Sequence, residues 1–209
     1  MRIGIFGGTF NPVHVGHLRV AEEVREKLGL EKVVFVPSHL PPHKGLASDV
    51  PAGKRLEAVR LAIASNPYFS VSSYEVEQGG NSYSIRTIEH VREEHGCTPY
   101  FILGRDAFNE ISTWYEADRL FDLAHFVVVT RPDAAIMPLD QVLKRNAARY
   151  REQGGRLVND CGNEIIFVEV TPYAVSSSMV RELYRQGRSI RYLVPEKVFD
   201  YITREGMYE

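Results

Sequence analysis

Short, continuously apolar runs rich in β-branched and aromatic residues recur along this chain, and segments with helical spacing fall between them. Ile3-Gly4-Ile5-Phe6, Val33-Val34-Phe35-Val36, Tyr100-Phe101-Ile102-Leu103-Gly104, Phe126-Val127-Val128-Val129-Thr130 and Ile165-Ile166-Phe167-Val168-Glu169-Val170 are of this kind. A strand that is apolar on both faces needs cover on both, the condition found inside a parallel sheet flanked by helices. After the first run, Val15, Leu18, Ala21, Val24 and Leu28 repeat at helical spacing, Glu22, Glu23, Arg25, Glu26 and Lys27 fill the other face, and Gly29 stands where a C′ glycine ends a helix. Strand, helix and strand in under forty residues make a βαβ unit. With 209 residues, 44% of them hydrophobic, the chain can bury one good core and is short for two. The expected fold class is α/β, a single-domain doubly wound parallel sheet of Rossmann-like type with ligands at the carboxyl ends of its strands.

The first strand leads into Gly7-Gly8-Thr9-Phe10-Asn11-Pro12-Val13-His14-Val15-Gly16-His17. Two glycines after a strand let backbone approach a ligand closely, and the first turn of the next helix offers unpaired N–H groups and the positive end of its dipole. That is an anion site, best suited to phosphate. His14 and His17 stand three apart, so if both are helical they share a face. Three readings fit the pair. They could be half of a zinc site, which would need His39 and His43 to join them. They could be ordinary surface or core histidines, or imidazoles donating hydrogen bonds to phosphoryl oxygens.

Further along, Pro37-Ser38-His39-Leu40-Pro41-Pro42-His43-Lys44-Gly45 leaves a strand end and its prolines forbid regular structure, so it is a functional loop candidate. Lys54 to Ser65 reads as a helix with Leu56, Val59, Ala62 and Ile63 inward, and Phe69 to Val76 as extended. Gly79-Gly80-Asn81-Ser82-Tyr83-Ser84 turns into a helix carrying Ile85, Ile88 and Val91. At the end of the Tyr100–Gly104 run, Asp106 can accept hydrogen bonds from a ribose diol or cap a helix, and Trp114 can stack on a flat heterocycle or fill core. One helix is expected around Leu139 to Tyr150 and a loop around Gly154-Gly155 and Asn159 to Asn163. Ser176-Ser177-Ser178 opens a helix with Arg181 one turn in, a second phosphate grip or a plain serine cap.

Gly7 to His17 resembles the G-x-F-x-P-x-H-x-G-H signature of the nucleotidyltransferases, in the form found in the bacterial nicotinate-nucleotide adenylyltransferases. Ser176 to Arg181 is similar to that family's Ile-Ser-Ser-Thr-x-x-Arg signature, with Val175 and Ser178 replacing Ile and Thr. The resemblance runs from end to end. It implies that Gly7, Gly8, Thr9, Phe10, His14, His17, Lys44, Gly104, Asp106, Ser177, Ser178 and Arg181 bind ATP, with His43 a neighbour of Lys44. Asn11, Tyr83, Ser84 and Trp114 would bind nicotinate mononucleotide, and His14, His17, Lys44 and Arg181 would serve catalysis. It also implies that residues from about 171 to 209 form a helical part closing the site of a domain spanning 1–209. Arg86 departs from the pattern, since relatives usually carry an acidic residue there.

The activity so implied is AMP transfer from ATP to nicotinate mononucleotide in NAD biosynthesis, by direct in-line attack and with Mg²⁺ bound mainly through the ATP phosphates. Nicotinamide mononucleotide or phosphopantetheine as acceptor, or a regulatory nucleotide-binding module without catalysis, are the alternatives. A net charge of -2 and a pI near 6.4 give no global field for nucleic acid or anionic membrane. Cys97 and Cys161 fit neither a disulfide framework nor a metal spacing, and Met1-Arg2-Ile3-Gly4 enters the first strand without a leader. The expectation is a cytoplasmic protein with small-molecule partners and no resident metal site; homo-oligomerisation is left open.

Overall fold

The computed structural model describes residues 1–41, 50–130 and 137–209, so His43, Lys44 and the Arg131-Pro132 pair after the fourth apolar run lie outside the described residues. In chain order, β1 (Ile3–Gly8), α1 (Val15–Leu28), β2 (Lys32–Pro37), α2 (Ala52–Ile63) and β3 (Phe69–Val71) form the first half. There follow α3 (Tyr74–Gln78), α4 (Ser84–His95), β4 (Tyr100–Gly104), α5 (Arg105–Asn109), a 3₁₀ turn (Ile111–Thr113), α6 (Ala117–Leu123) and β5 (His125–Thr130). The remainder is α7 (Leu139–Leu143), a 3₁₀ stretch (Lys144–Arg149), β6 (Arg151–Gln153), β7 (Arg156–Val158), β8 (Glu164–Glu169), α8 (Ser177–Arg185) and α9 (Glu196–Glu205).

The sheet order is β3-β2-β1-β4-β5-β8-β7-β6, parallel from β3 through β8. Alternate residues of each strand enter separate cores. Val33, Phe35, Ile102, Val127 and Ile166 face the side covered by α1, α2, α8 and α9; Val34, Val36, Phe101, Leu103, Phe126 and Val128 face the side covered by α4 and α6. That two-sided burial is why these runs show no polar alternation.

The order reverses between β1 and β4, and there the ladder opens. β1 stays paired to β2 as far as Gly8 opposite Pro37, whereas its pairing with β4 ends at Phe6 opposite Ile102. The resulting crevice at the carboxyl ends is where such sheets bind ligands.

Four details differ from the sequence reading. The segment 69–76 is a short strand followed by α3 rather than wholly extended. The helix expected over 139–150 breaks at Lys144, which adopts φ 51°. The Gly154-Gly155 loop is the turn of a β6–β7 hairpin that adds an antiparallel edge to the sheet, both glycines having positive φ as the tight turn requires. Glu23 does not sit on the solvent face: it is 5% exposed, held by Arg19 at 2.8 Å, and accepts the Thr171 N–H at 3.1 Å where the chain leaves β8. No helix among the described residues is long and apolar enough to cross a membrane.

Candidate active site

The loop from Thr9 to His14 leaves β1 at the crevice and is tied to the scaffold through its carbonyls. The Arg55 guanidinium of α2 donates to Thr9 O at 2.6 Å, Arg181 of α8 donates to Asn11 O at 2.7 Å, and the Ser177 hydroxyl at the start of α8 donates to Pro12 O at 2.9 Å. In a trans peptide the N–H points opposite to the carbonyl, so anchoring the Thr9 and Pro12 carbonyls on protein turns the Phe10 and Val13 N–H groups the other way. Asn11–Pro12 is a cis peptide. Close to the C-terminus, the buried Tyr208 hydroxyl donates to Asn11 Oδ1 at 2.8 Å, reaching across 197 positions of sequence.

Glycines matter at two points. A Cβ on Gly8 would stand 3.1 to 3.3 Å from the Phe10 ring, which is 2% exposed and folded back beneath the turn at φ 47°. A Cβ on Gly16 would come within 2.9 Å of Val175 Cγ1 and 3.1 Å of His14 Nδ1. Hydrogen at Gly16 lets the starts of α1 and α8 sit side by side. Two helix N-termini, the positive ends of their dipoles, therefore converge on one loop, the arrangement expected for a polyphosphate.

His14 and His17 meet, though not as two helical residues. His14 is the extended N-cap of α1, at φ -140° and ψ 168°, and its backbone N–H donates to His17 Nδ1 at 3.2 Å. The imidazoles stack with centroids 3.6 Å apart and planes 25° apart. Because His17 Nδ1 accepts, the proton of a neutral His17 ring sits on Nε2, which makes that atom the donor. His14 is 7% exposed, its Nδ1 is buried without a partner, and burial lowers its pKa to about 4. It is neutral at pH 7. The stacked geometry and the occupied His17 Nδ1 do not suit chelation, and among the described residues no third Cys, Asp, Glu or His completes a metal-ligand group with this pair. His39 uses its Nδ1 on Gly80 O at 3.1 Å. The one acidic and thiol group close enough for an ion among the described residues is Asp122, Asp160 and Cys161, exposed and already bridged by Arg149. Both cysteines are free.

Arg181 binds Ser178 Oγ through its second terminal nitrogen at 3.3 Å, while its Nε is buried without a partner. Ser176, rather than Ser177 or Ser178, caps α8 by accepting the Met179 N–H at 3.1 Å. That leaves Ser177 to hold the loop and Ser178 to orient the guanidinium. Across the crevice, Gly104 ends β4 and Asp106 lies in the first turn of α5 with its side chain 95% exposed. Tyr83 is the N-cap of α4 and Ser84 its first residue; the Tyr83 ring lies 4.5 Å from that of Tyr115, and Arg86 stands over it at 5.7 Å. Trp114 follows the 3₁₀ turn, half-buried and in a T-shaped contact with Phe101 at 6.1 Å between ring centroids. Thus Ser177 and Arg181 bind the Asn11–Pro12 turn beside His14 and His17, Asp106 follows β4 with Trp114 against Phe101, and Tyr83 and Ser84 begin α4 next to the segment that leaves β2, where Ser82 meets His39 and Leu40.

Arg55 was not singled out by sequence. It is 3% exposed and donates to Thr9 O, to His39 O at 3.0 Å and to Val50 O at 3.4 Å. Its signal was a cation four residues before Val59, on the apolar stripe of α2.

Known proteins share both the sequence and this fold. Residues 5–183 match the family model described as cytidylyltransferase-like. A Geotalea daltonii protein named "probable nicotinate-nucleotide adenylyltransferase" is 46% identical over 212 aligned positions, covering all of this chain and 98% of the relative; one of the same name from Geobacter metallireducens is 43% identical with the same coverage. Among solved structures, a Plasmodium falciparum nicotinic acid mononucleotide adenylyltransferase complexed with NaAD superposes with a TM-score of 0.72 at 18% identity, over 99% of this chain and 97% of that one. At that identity the superposition speaks for the fold.

Proposed function

This chain belongs to the nicotinate-nucleotide adenylyltransferase family of cytidylyltransferase-like nucleotidyltransferases, and from that premise we propose how its residues carry AMP from ATP to nicotinate mononucleotide. The mononucleotide phosphate attacks the α-phosphorus of ATP in line. The new P–O bond forms as the bond to the β-phosphate oxygen breaks, yielding nicotinate adenine dinucleotide and pyrophosphate. No covalent enzyme intermediate is needed, so the protein's task is to hold two anions together and stabilise charge on the leaving group.

His14 and His17 are the donors to the phosphoryl oxygens. His14, kept neutral by burial, supplies a hydrogen bond without a full charge, and His17 presents Nε2–H because His14 N–H occupies its Nδ1. Arg181, oriented by Ser178 and Asn11 O, neutralises the departing pyrophosphate, with the N-terminus of α8 behind it. Gly7, Gly8, Thr9 and Phe10 contribute close backbone, Gly104 and Asp106 take the adenosine ribose, and Lys44 adds a cation to the ATP phosphates by its match to the family loop. Asn11, Tyr83, Ser84 and Trp114 take the mononucleotide, the indole against the nicotinate ring and the start of α4 near its carboxylate. The part from about 171 to 209 closes the site through Ser177, Arg181 and Tyr208.

The phosphate grips consist of imidazoles, hydroxyls and a guanidinium, which fits a metal carried on phosphates and water rather than caged by carboxylates. Mg²⁺ bound to the triphosphate would neutralise its charge and help to shape the leaving group. Two free cysteines, one of them exposed, suit work in the reducing cytoplasm.

The observation that carries the reading is the joining of both family signatures at one loop, with Arg181 and Ser177 of the second bound to the Asn11 and Pro12 carbonyls of the first. Pyrophosphate release with Mg·ATP and, separately, nicotinate mononucleotide, nicotinamide mononucleotide or phosphopantetheine tests it. Strong preference for the first is expected. Preference for another acceptor would overturn the substrate, and release with none despite ATP binding would leave a regulatory module.

A further inference from the structure

A continuous polar chain runs beneath the crevice from the phosphate loop to the start of α4, and Arg55 is its centre. Its Nη1 donates to Thr9 O at 2.6 Å and its Nη2 to His39 O at 3.0 Å. The His39 N–H donates to Ser82 Oγ at 2.8 Å, the Ser82 N–H donates to Leu40 O at 2.8 Å, and His39 Nδ1 meets Gly80 O at 3.1 Å. Ser82 in turn hydrogen-bonds Glu75, which also accepts from the Thr87 hydroxyl of α4 and interacts favourably with the charge of Arg55. None of these groups except Thr9 is among the residues assigned to ATP or the mononucleotide.

We propose that Arg55 is a positioning residue that locks the ATP loop and the mononucleotide loop in one relative placement, so that the attacking phosphate is aligned with the α-phosphorus. This rests on the adenylyl-transfer reading above. Thr9 follows the strand on the ATP side and Ser82 precedes Tyr83 and Ser84 on the acceptor side; the backbone joins the two through the Ser38 N–H to Gly8 O at 3.0 Å, and beyond that point the Thr9 carbonyl is held by Arg55. A guanidinium presents two nitrogens in a rigid fork and can hold two carbonyls at a set separation, whereas an ammonium is a point donor. Burial of the guanidinium, at 3% exposure, removes competition from water for those carbonyls. A structure that only needed a buried cation would not require a separate nitrogen for each loop.

The distinction appears in which kinetic constant moves. A misplaced reacting pair loses transition-state alignment while each substrate still finds its own loop, so turnover falls and ground-state binding does not. Three variants, Arg55→Met, Arg55→Lys and Ser82→Ala, are compared with the unaltered chain by initial rates with Mg·ATP and nicotinate mononucleotide, by affinity for a non-hydrolysable ATP analogue, and by thermal melts. Activity of the unaltered chain with nicotinate mononucleotide is established first; if it has none, the function proposed above fails and the positioning role is not what the failure concerns. With activity present, Arg55→Lys is expected to lose about 10²-fold in kcat with KM for both substrates and analogue affinity within about threefold, and Ser82→Ala to lose kcat in the same direction by about tenfold. Arg55→Met should do at least as much as Arg55→Lys if it folds; if it does not fold, the other two decide. Wild-type kcat in folded Arg55→Lys would mean that charge alone suffices and would overturn the proposal, as would a loss confined to analogue affinity or a lowered melting temperature with kcat unchanged.

Discussion

Replacing Gly16 with alanine puts a methyl carbon 2.9 Å from Val175 Cγ1 and 3.1 and 3.2 Å from His14 Nδ1 and Cε1. Carbon pairs settle at about 3.5–4.0 Å, so roughly 0.5–1 Å must be found by moving Val175 or the His14 ring. Gly16 lies in the first turn of α1, where alanine returns up to about 1 kcal/mol of helix propensity. Overpacking costs about 1–3 kcal/mol. The net is a loss of about 0–3 kcal/mol and a fall in Tm of about 0–12 °C in a chain of this length. The displacement falls on the contact between the two helix starts and on His14, where about 1 Å of misplacement is worth about 10²-fold in rate. Activity should therefore collapse in a protein that still folds. The assay is initial-rate pyrophosphate release beside thermal melts for Gly16→Ala, Val175→Ala and the double variant. The single glycine variant should lose about 10²-fold in kcat, and the double variant should regain about tenfold, because removing Cγ1 reopens the space. A Gly16→Ala protein within about twofold of wild-type kcat, or a folded double variant no faster than Gly16→Ala, would refute the close-approach argument.

His14 carries a pH signature. The ring is neutral in both states above pH ~6.5; as pH falls the unfolded chain takes up a proton that the native site refuses until about pH 4, so stability falls across that window by about 3 kcal/mol. Urea unfolding from pH 7 to 4 should show this slope reduced by one proton in His14→Gln, and identical slopes would count against the buried neutral ring. His17→Ala should lower kcat by about 10²–10³-fold with little change in Tm, because it removes the donor proposed for the developing charge; near-normal turnover would exclude that role. Tyr208→Phe leaves the buried Asn11 Oδ1 without its donor and should cost about 1–3 kcal/mol in urea unfolding, whereas an unchanged midpoint would mean the oxygen finds another partner.

Much of this was legible because it is local. The five apolar runs are strands in the structure, since residues such as Val33 to Val36 are buried alternately in the two cores and so leave no polar position. Gly29 ends α1 in the left-handed conformation. Where the reading strayed, a non-local partner was responsible. Glu23 belongs by spacing to the solvent face, and only the return of the chain at Thr171 gives it a buried donor. Arg55 looks like an interruption of an apolar stripe until the Thr9 and His39 carbonyls are brought beside it. The hairpin over 151–158 was hidden because β6 is exposed and polar and β7 spans three residues, too few for a hydrophobic pattern, so that their pairing makes them strands.

The sequence by itself determined the doubly wound sheet, the strand–turn–helix at Gly7 to His17 and the serine-led helix with Arg181, because strand burial, glycine turns and helix starts are set by residues near one another in the chain. It could not decide that His14 is a cap instead of a helical residue, nor that Tyr208 would hold Asn11 across 197 positions. Those belong to the tertiary structure. A buried carbonyl or amide must find a partner, and which partner reaches it depends on how α2, α8 and the C-terminal segment pack over the crevice between β1 and β4.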